Sequence, residues 1–183
     1  MRRLTTWLLL LAWAWPAAAD DARSHYQRAE ARQTAKQYEQ AIQEYQMALR
    51  IQPKMLAAHQ HLGRLLNERK RWREALPALQ AALALQPGDV QNYLDLTESL
   101  YFLKRYDEGL KYLQQARVRF PRNGSVYWYW GSYMLAKGKR EQALDALEKA
   151  VQLAPALKKD IREDEELAPL RHDKRFKRLL AAG

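Results

Sequence analysis

The sequence predicts an all-α fold: an α-solenoid of four helix-turn-helix repeats with a C-terminal capping helix. One observation is a fixed period, which is the signature of stacked repeat units. Four prolines are spaced 34 residues apart: Pro53, Pro87, Pro121 and Pro155. They define four frames without insertion or deletion: 22–55, 56–89, 90–123 and 124–157. A second observation is that only seven glycines occur among 183 residues, which argues against a turn-dense β fold.

Within each frame, the size pattern predicts two antiparallel helices. Apolar residues at the fourth, seventh and eleventh places form a stripe on a first helix, and those at the twentieth, twenty-fourth and twenty-seventh places form one on a second. Small residues stand at the eighth, twentieth and twenty-seventh places, where a larger side chain would push the helices apart. The twenty-seventh place is always alanine: Ala48, Ala82, Ala116 and Ala150. The proline at the thirty-second place ends the second helix, because it lacks the N–H that a helix needs.

Local features refine these helices. Asp89 and Ser125 each follow a glycine and predict N-caps for the first helices of the third and fourth frames. Pro77 lies about one turn into a second helix, where we expect a small kink rather than a break. In the third frame, Thr97 and Gly109 occupy places that hold glycine or alanine elsewhere.

The small, large and proline places together resemble the tetratricopeptide repeat family. The resemblance covers the four frames and is best in 56–89 and 124–157. Frame 22–55 departs most, because Arg28 and Arg32 replace apolar residues, as expected of an N-terminal capping repeat. The resemblance implies a protein–protein interaction module that holds its partner in a concave groove lined by the first helices.

The repeat period stops after Pro155, and we expect residues 158–183 to form a capping segment. The stretch 167–176 is similar to the tail that often closes bacterial tetratricopeptide repeat proteins. Without such a cap, the last repeat would leave an apolar edge in water. The residues expected to cover that edge are Leu167, Leu170, Phe176, Leu179 and Leu180.

The first segment, 1–19, is typical of a secretory signal peptide. Arg2 and Arg3 precede an apolar stretch, Leu4–Trp15, which is followed by three small residues, Ala17–Ala19. The apolar stretch is shorter than the roughly 20 residues of a membrane-spanning helix, so cleavage after Ala19 is favoured over an uncleaved anchor. We therefore expect an exported protein, periplasmic or secreted, whose repeat array occupies residues 20–157. It would not be a lipoprotein, because the chain has no cysteine to acylate.

No residue is a strong candidate for catalysis, metal binding or cofactor binding. The absence of cysteine excludes disulfides, thiolate zinc sites and cysteine nucleophiles. No phosphate-binding loop, zinc-protease motif or serine nucleophile motif occurs. His25 and His59 share the same frame place, which raises a two-histidine metal site. Because that place belongs to the packing stripe, core or boundary histidines are the favoured interpretation.

The expected binding groove is polar at its N-terminal end and aromatic at its C-terminal end. A carboxylate clamp, which in some members grips the C-terminus of a chaperone, is absent, because the relevant places hold Tyr26, Glu30, Gln60 and Arg64. The aromatic end predicts a partner peptide or helix anchored by an apolar side chain. The alternative is that these aromatic residues pack on the next repeat or on the cap. The predicted groove residues are Arg64, Asn67, Leu94, Tyr101, Phe102, Trp128, Ser132 and Leu135.

Basic residues recur in the turns between paired helices and suggest a ridge along one edge of the array. The net charge is +10, or +8 without Arg2 and Arg3. Such a ridge could contact anionic lipid or cell-wall polymers, or it could serve solubility alone. No nucleic-acid-binding module is recognisable. The predicted ridge residues are Lys36, Lys70, Lys104 and Lys137.

By resemblance, the protein would be a scaffold that helps to assemble a multiprotein machine of the bacterial envelope. Surface attachment through the basic ridge is the second interpretation, and an accessory subunit of an enzyme complex is the third. The partner's identity and the oligomeric state stay open at this point.

Overall fold

A computed structural model describes the backbone of residues 6–181 and the side chains of residues 20–181. Over this range the fold is helical throughout and contains no β-strand, which confirms the predicted all-α class. The paired helices are α1 (Thr6–Thr34), α2 (Tyr38–Ile51), α3 (Leu56–Glu68), α4 (Trp72–Leu85), α5 (Val90–Phe102), α6 (Tyr106–Arg119), α7 (Gly124–Ala136) and α8 (Arg140–Leu153). The C-terminal segment adds a 3₁₀ turn (Pro155–Leu157), α9 (Lys158–Glu163), a second 3₁₀ helix (Glu165–Leu170) and α10 (Lys174–Ala181).

Each second helix ends two residues before the periodic proline. The intervening cap residues are Gln52, Gln86, Phe120 and Ala154, with φ between −144° and −125° and ψ between 60° and 85°. These angles lie outside the helical region, as expected for a residue that precedes proline. The sequence period therefore fixes the C-terminal boundary of every second helix.

The turn between paired helices contains a left-handed residue at the fifteenth place of every frame. Lys36, Lys70 and Lys104 have φ values of 59°, 58° and 57°, and Gly138 has 73°. In the second frame, the N–H of Lys70 donates to the carbonyl of Asn67, and the next N–H donates to the carbonyl of Leu66, both over 2.8 Å. This pattern is the Schellman motif, whose left-handed position favours glycine. Three of the four turns place lysine there instead.

The chain divides into two compact units, and the first ends at Pro87. This N-terminal unit pairs α1 with α2 and α3 with α4. A Cβ on Gly63 would lie 2.6 Å from Cγ of Leu79, so only glycine allows α3 and α4 to approach this closely. Ala41 and Ala75, which share the twentieth place, are completely buried. The predicted role of the small places is confirmed in this unit.

The C-terminal unit, from Gly88 onward, repeats the same packing and adds one variation. Gly131 faces Leu147 in the same way as Gly63 faces Leu79. A Cβ added to Gly131 would lie 3.0 Å from Cγ of Leu147. At Gly109, where the other frames hold alanine, an added Cβ would overlap the Tyr133 ring. The Tyr133 hydroxyl donates to the backbone carbonyl of Thr97 over 2.5 Å and is completely buried. Gly109 therefore makes room for a buried tyrosine.

One predicted N-cap is correct and the other is wrong. The Asp89 carboxylate accepts from the N–H of Gln91 over 2.9 Å and caps α5. The cap of α7 is Asn123, whose side chain accepts from the N–H of Val126 over 3.2 Å. Ser125 lies inside the first turn of α7, because Gly124 already has helical geometry there. Helix α4 continues through Pro77, as predicted.

The C-terminal segment packs its apolar side chains on α8. Ile161, Leu167, Leu170 and Phe176 are at most 2% exposed and form one cluster with buried residues of α8. Leu179 and Leu180 pack at the edge of that cluster. All five of the predicted capping residues therefore belong to, or pack against, the cluster that the cap shares with α8.

The predicted signal segment is described only in part. Residues 1–5 are not described, and residues 6–19 are described only as backbone belonging to α1. Over the described residues, no helix has both the length and the apolar character needed to span a membrane.

Candidate functional site

The C-terminal unit contains an open cleft of about 540 Å³. Helices α5 and α7 form its floor, and α9 with the following 3₁₀ helix forms one wall. The cap therefore completes a site that the repeats alone would leave open on one side. The lining residues are Glu98, Tyr101, Phe102, Trp128, Tyr129, Ser132, Tyr133, Asp160, Glu163, Asp164, Glu165 and Glu166.

The floor of the cleft is lined by aromatic rings that contact one another in two groups. Tyr101 contacts Phe102 and Tyr133 edge to face, with ring centroids 5.6 Å and 5.3 Å away. Trp128 and Tyr129 make the same kind of contact at 6.0 Å. Phe102 is 41% exposed although it is large and apolar. Rings locked by such contacts lose little freedom when a ligand binds, and exposed aromatic side chains are typical anchors for protein partners.

The wall of the cleft is acidic. Six of the twelve lining residues carry carboxyl groups, and no lysine, arginine or histidine is among them. Asp164 is the central one: it accepts from the indole N–H of Trp128 over 2.7 Å and from the N–H of Glu166 over 2.8 Å. Glu165 pairs with Arg171 at 2.9 Å. The cleft is thus strongly acidic in a chain whose net charge is +10.

Burial controls the ionisation of the groups in the cleft. Desolvation raises the pKa of Asp164 to about 7, and a hydrogen bond with Glu166 contributes in the same direction. Burial likewise raises the pKa of Tyr101 to about 12, with smaller contributions from Tyr106 and the nearby carboxylates. The phenol of Tyr101 therefore stays protonated at neutral pH, whereas Asp164 changes charge in the physiological range.

The side chains in the cleft suit recognition of a partner. The rings offer apolar contact area, and the carboxylates offer hydrogen-bond acceptors for cationic groups. Among the described residues, no group of three or more histidine, aspartate or glutamate side chains could hold a metal ion.

Comparisons with protein families identify the repeats. A profile described as tetratricopeptide repeat matches residues 19–90, and a second one with the same description matches residues 66–129. Together they span more than half of the chain. The chain belongs to the tetratricopeptide repeat family. Its general class is therefore that of a protein-interaction scaffold. No curated protein sequence matches the chain.

Solved structures of tetratricopeptide repeat proteins share this fold. A crystal structure of MamA protein matches with a TM-score of 0.73 at 19% identity, covering 88% of this chain and 91% of that one. A MamA fragment (41-end) from Desulfovibrio magneticus RS-1 matches with a TM-score of 0.68 at 23% identity, over 74% and 77% of the two chains. YrrB, described as a TPR protein with an unusual peptide-binding site, matches with a TM-score of 0.68 at 25% identity, over 73% and 69%.

Four of the predicted groove residues of this tetratricopeptide repeat protein lie together in the cleft: Tyr101, Phe102, Trp128 and Ser132. Trp128 also packs against the capping cluster. Trp128 therefore lines the cleft and also contacts the cap, so both of the alternatives that the sequence left open apply to it.

Other predicted groove residues lie elsewhere. Leu135 packs on the capping cluster instead of lining the cleft. Leu94 and Asn67 are only 5% and 3% exposed, so they offer little surface to a partner. A repeat place alone does not reveal how much the neighbouring side chains cover it. Arg64, in the N-terminal unit, is exposed, and its Nε lies 3.5 Å from the carbonyl oxygen of Gln60.

Sequence reasoning missed the carboxyl groups of the cleft, of which Glu98 lies on the floor and the others on the wall. Glu98 occupies the ninth place of its frame, which is one of the groove places, and that signal could have found it. The carboxylates of 160–166 lie outside the repeat period. Only the folded cap brings them next to Trp128, because no repeat place corresponds to them.

The basic residues near the turns are partly neutralised. Lys137 forms an ion pair with Asp107, and Arg71 pairs with Glu39 at 2.8 Å and with Glu74 at 2.7 Å. Lys137 also lies one residue before the place that Lys104 occupies in the preceding frame; Gly138 stands at that place. The lysines at the fifteenth place are exposed in both units. Their role as a binding ridge stays a prediction.

The two histidines that share a frame place make separate local contacts. Nδ1 of His25 lies 2.7 Å from Oε2 of Glu44, and Nε2 of His59 lies 2.9 Å from the carbonyl oxygen of Pro53. Both are half-buried. This placement is that of boundary residues with their own polar neighbours, as favoured from the sequence.

Proposed function

We propose that this tetratricopeptide repeat protein is a scaffold of the bacterial cell envelope that binds a segment of a partner protein in the cleft of its C-terminal unit. The observation that carries the proposal is the cleft itself. It combines a rigid aromatic floor with the exposed Phe102 ring, at a place where the first helices of two successive repeats meet the cap.

Binding in this proposal is docking to a surface that already exists. The rings of Tyr101 and Phe102 are held by mutual edge-to-face contacts, so a partner's apolar side chain would find them in place. Preformed contacts of this kind reduce the entropy that is lost when a complex forms. No covalent step is involved.

The envelope location rests on the first nineteen residues. Arg2 and Arg3, the apolar stretch and the three alanines match the three parts of a secretory signal peptide. Export would bring the mature chain to the compartment where envelope machines assemble.

Site-specific photo-cross-linking in the cells that produce the protein tests the docking site. Phe102 is replaced by a photoreactive phenylalanine derivative. Val118, which is 73% exposed on α6 and does not line the cleft, is replaced in a matched control. We expect a discrete cross-linked partner from position 102 and none of that mass from position 118. Equal products from both positions, or none from position 102, would reject the cleft as the docking site.

The export proposal has its own test. Residues 1–24 are fused to alkaline phosphatase, which becomes active only outside the cytoplasm. We expect phosphatase activity, and we expect its loss when Leu9 is replaced by arginine, because a charge interrupts the apolar stretch. Equal activity of the two fusions would contradict the export proposal and leave the docking site unaffected.

A further inference from the structure

The acidic wall of the cleft defines the chemistry of the partner. We propose that the segment bound in the cleft carries an arginine or lysine side chain next to an apolar one. The cation would lie between the aromatic floor and the carboxylates of Asp164 and Glu166. This inference rests on the proposed function, because it names the partner of the same site.

Charge complementarity is the first argument. Six carboxyl-bearing residues and no cationic residue line the cleft, although the chain as a whole is basic. A concave, partly apolar surface lined by charges of one sign concentrates the electrostatic field and attracts the opposite charge. An anionic or neutral segment would have to desolvate these carboxylates without compensation.

The aromatic floor is the second argument. Trp128 and Tyr101 line the cleft on α7 and α5, and Asp164 stands beside Trp128 through the 2.7 Å hydrogen bond. Tryptophan and tyrosine faces attract guanidinium and ammonium groups, and a nearby carboxylate adds a charge-assisted hydrogen bond. The apolar stem of arginine or lysine would cover the same rings. One side chain can therefore use both parts of the cleft.

The third argument is that, within the described part of the chain, no lysine, arginine or histidine pairs with Asp164. Its hydrogen-bond partners are Trp128 and Glu166, and Glu165 on the same wall is already paired with Arg171. Burial raises the pKa of Asp164 to about 7, so its ionised form is costly in the free protein. A bound cation would stabilise that ionised form.

Matched peptides test the charge requirement on the full chain. The probes are about ten residues long and contain one arginine between two leucines; in the comparison peptides, citrulline or glutamate replaces the arginine. Citrulline keeps the shape of arginine and removes its charge. Binding is followed through the indole N–H resonance of Trp128, assigned with a Trp128→Phe variant. We expect the arginine peptide to bind on the order of tenfold more tightly than the citrulline peptide, and the glutamate peptide more weakly still.

Variants of the protein locate the charge effect. In Glu166→Gln and in Asp164→Asn, we expect the preference for arginine over citrulline to shrink to about threefold or less. Glu68→Gln, an exposed change in the N-terminal unit, should leave the preference intact. Folding of each variant is checked by circular dichroism and thermal unfolding.

The outcomes separate this inference from the proposed function. If the arginine and citrulline peptides bind equally and Phe102→Ala weakens both, the cationic partner is wrong while the docking site stands. An arginine preference that persists in the Asp164→Asn, Glu166→Gln double variant would also overturn the inference. If no peptide shifts the Trp128 resonance and cross-linking from position 102 fails as well, the docking site is wrong too. If the chain dimerises and Phe102→Ala abolishes the dimer, the occupant of the cleft is a second copy of the chain. That result would overturn the proposal that the cleft binds a partner protein.

Discussion

The indole N–H of Trp128 donates to Oδ2 of Asp164 over 2.7 Å and joins the first helix of the last repeat to the capping segment. The same carboxylate accepts from the backbone of Glu166 and begins the 3₁₀ helix of the cap. One aspartate thus holds the wall of the cleft against its floor. The shape of the cleft and the attachment of the cap depend on the same contact.

The raised pKa of Asp164 predicts a pH-dependent stability. Because the folded-state pKa of this acid, about 7, lies above its ordinary value of 3.8, the folded state binds the proton more tightly than the unfolded state. Its contribution to the free energy of unfolding is therefore complete below about pH 4 and is lost as the pH rises through 7. Asp164→Asn should remove this contribution.

The measurement is urea unfolding of the wild type and of Asp164→Asn at about pH 5 and pH 8. Burial lowers the pKa of His61, so protonation of this histidine destabilises the folded protein as the pH falls. This contribution opposes that of Asp164. For that reason, the quantity to compare is the difference between the two proteins. An identical pH dependence for both would contradict the raised pKa of Asp164.

The affinity for a cationic peptide should change with pH in the opposite direction. Ionised Asp164 attracts the cation, so binding of the arginine peptide should strengthen as the pH rises from about 5 to 8. Binding in the neutral range should also release protons, because the bound cation lowers the pKa of Asp164. Titration calorimetry in two buffers of different ionisation enthalpy measures the released protons. An affinity that falls with rising pH would contradict this coupling.

Gly109→Ala should destabilise the C-terminal unit. The new Cβ would overlap the Tyr133 hydroxyl. That side chain is completely buried, and its hydroxyl donates to the carbonyl of Thr97. Forcing a methyl group into such a core costs about 1–3 kcal/mol. The control is Gly88→Ala, whose Cβ would meet only the Arg119 side chain at 3.8 Å and should change the stability by no more than about 0.5 kcal/mol. Equal effects of the two changes on the urea midpoint would contradict this account.

The left-handed turns predict a reciprocal pair of stability changes. Lys104→Gly should raise the free energy of unfolding by about 0.5–1 kcal/mol, because glycine adopts φ of 57° without steric strain. Gly138→Ala, one repeat later at φ of 73°, should lower it by about 1 kcal/mol. No atom lies within 4 Å of the position of the added Cβ at Gly138, so packing does not contribute. Changes of the same sign in the two variants would show that the turn angle is not the cause.

Phe176→Ala should loosen the cap. The ring is 2% exposed and lies in the cluster that joins α10 to α8. Truncation of a buried phenylalanine costs about 3 kcal/mol or more. Lys177→Ala, at the next and exposed position, is the control. Hydrogen exchange of α9 and α10 measures the effect, and it should accelerate in Phe176→Ala only. Unchanged exchange would mean that the cluster does not hold the cap.

Much of the repeat fold could be predicted from the sequence, because its determinants are local. The proline at the thirty-second place ends each second helix through the geometry of the preceding residue. The small residues at fixed positions of each repeat allow the paired helices to approach closely, as the contact of Gly63 with Leu79 shows. The error at Ser125 concerns only which of two polar residues, two positions apart, caps a helix. The sequence also shows that Gly109 stands where the other frames hold alanine. The reason for this glycine, the Tyr133 ring of the next repeat, is visible only in the structure.

The repeat period and the apolar capping residues are thus features that the sequence by itself determined, because helix formation and helix pairing depend on residues a few places apart. The cleft was decided by the tertiary structure. Residues 160–166 follow no period, and only the packing of Leu167, Leu170 and Phe176 on α8 brings their carboxylates to Trp128. Sequence patterns describe side-chain spacing along one element. The electrostatic character of a cleft depends instead on which distant segments share its walls.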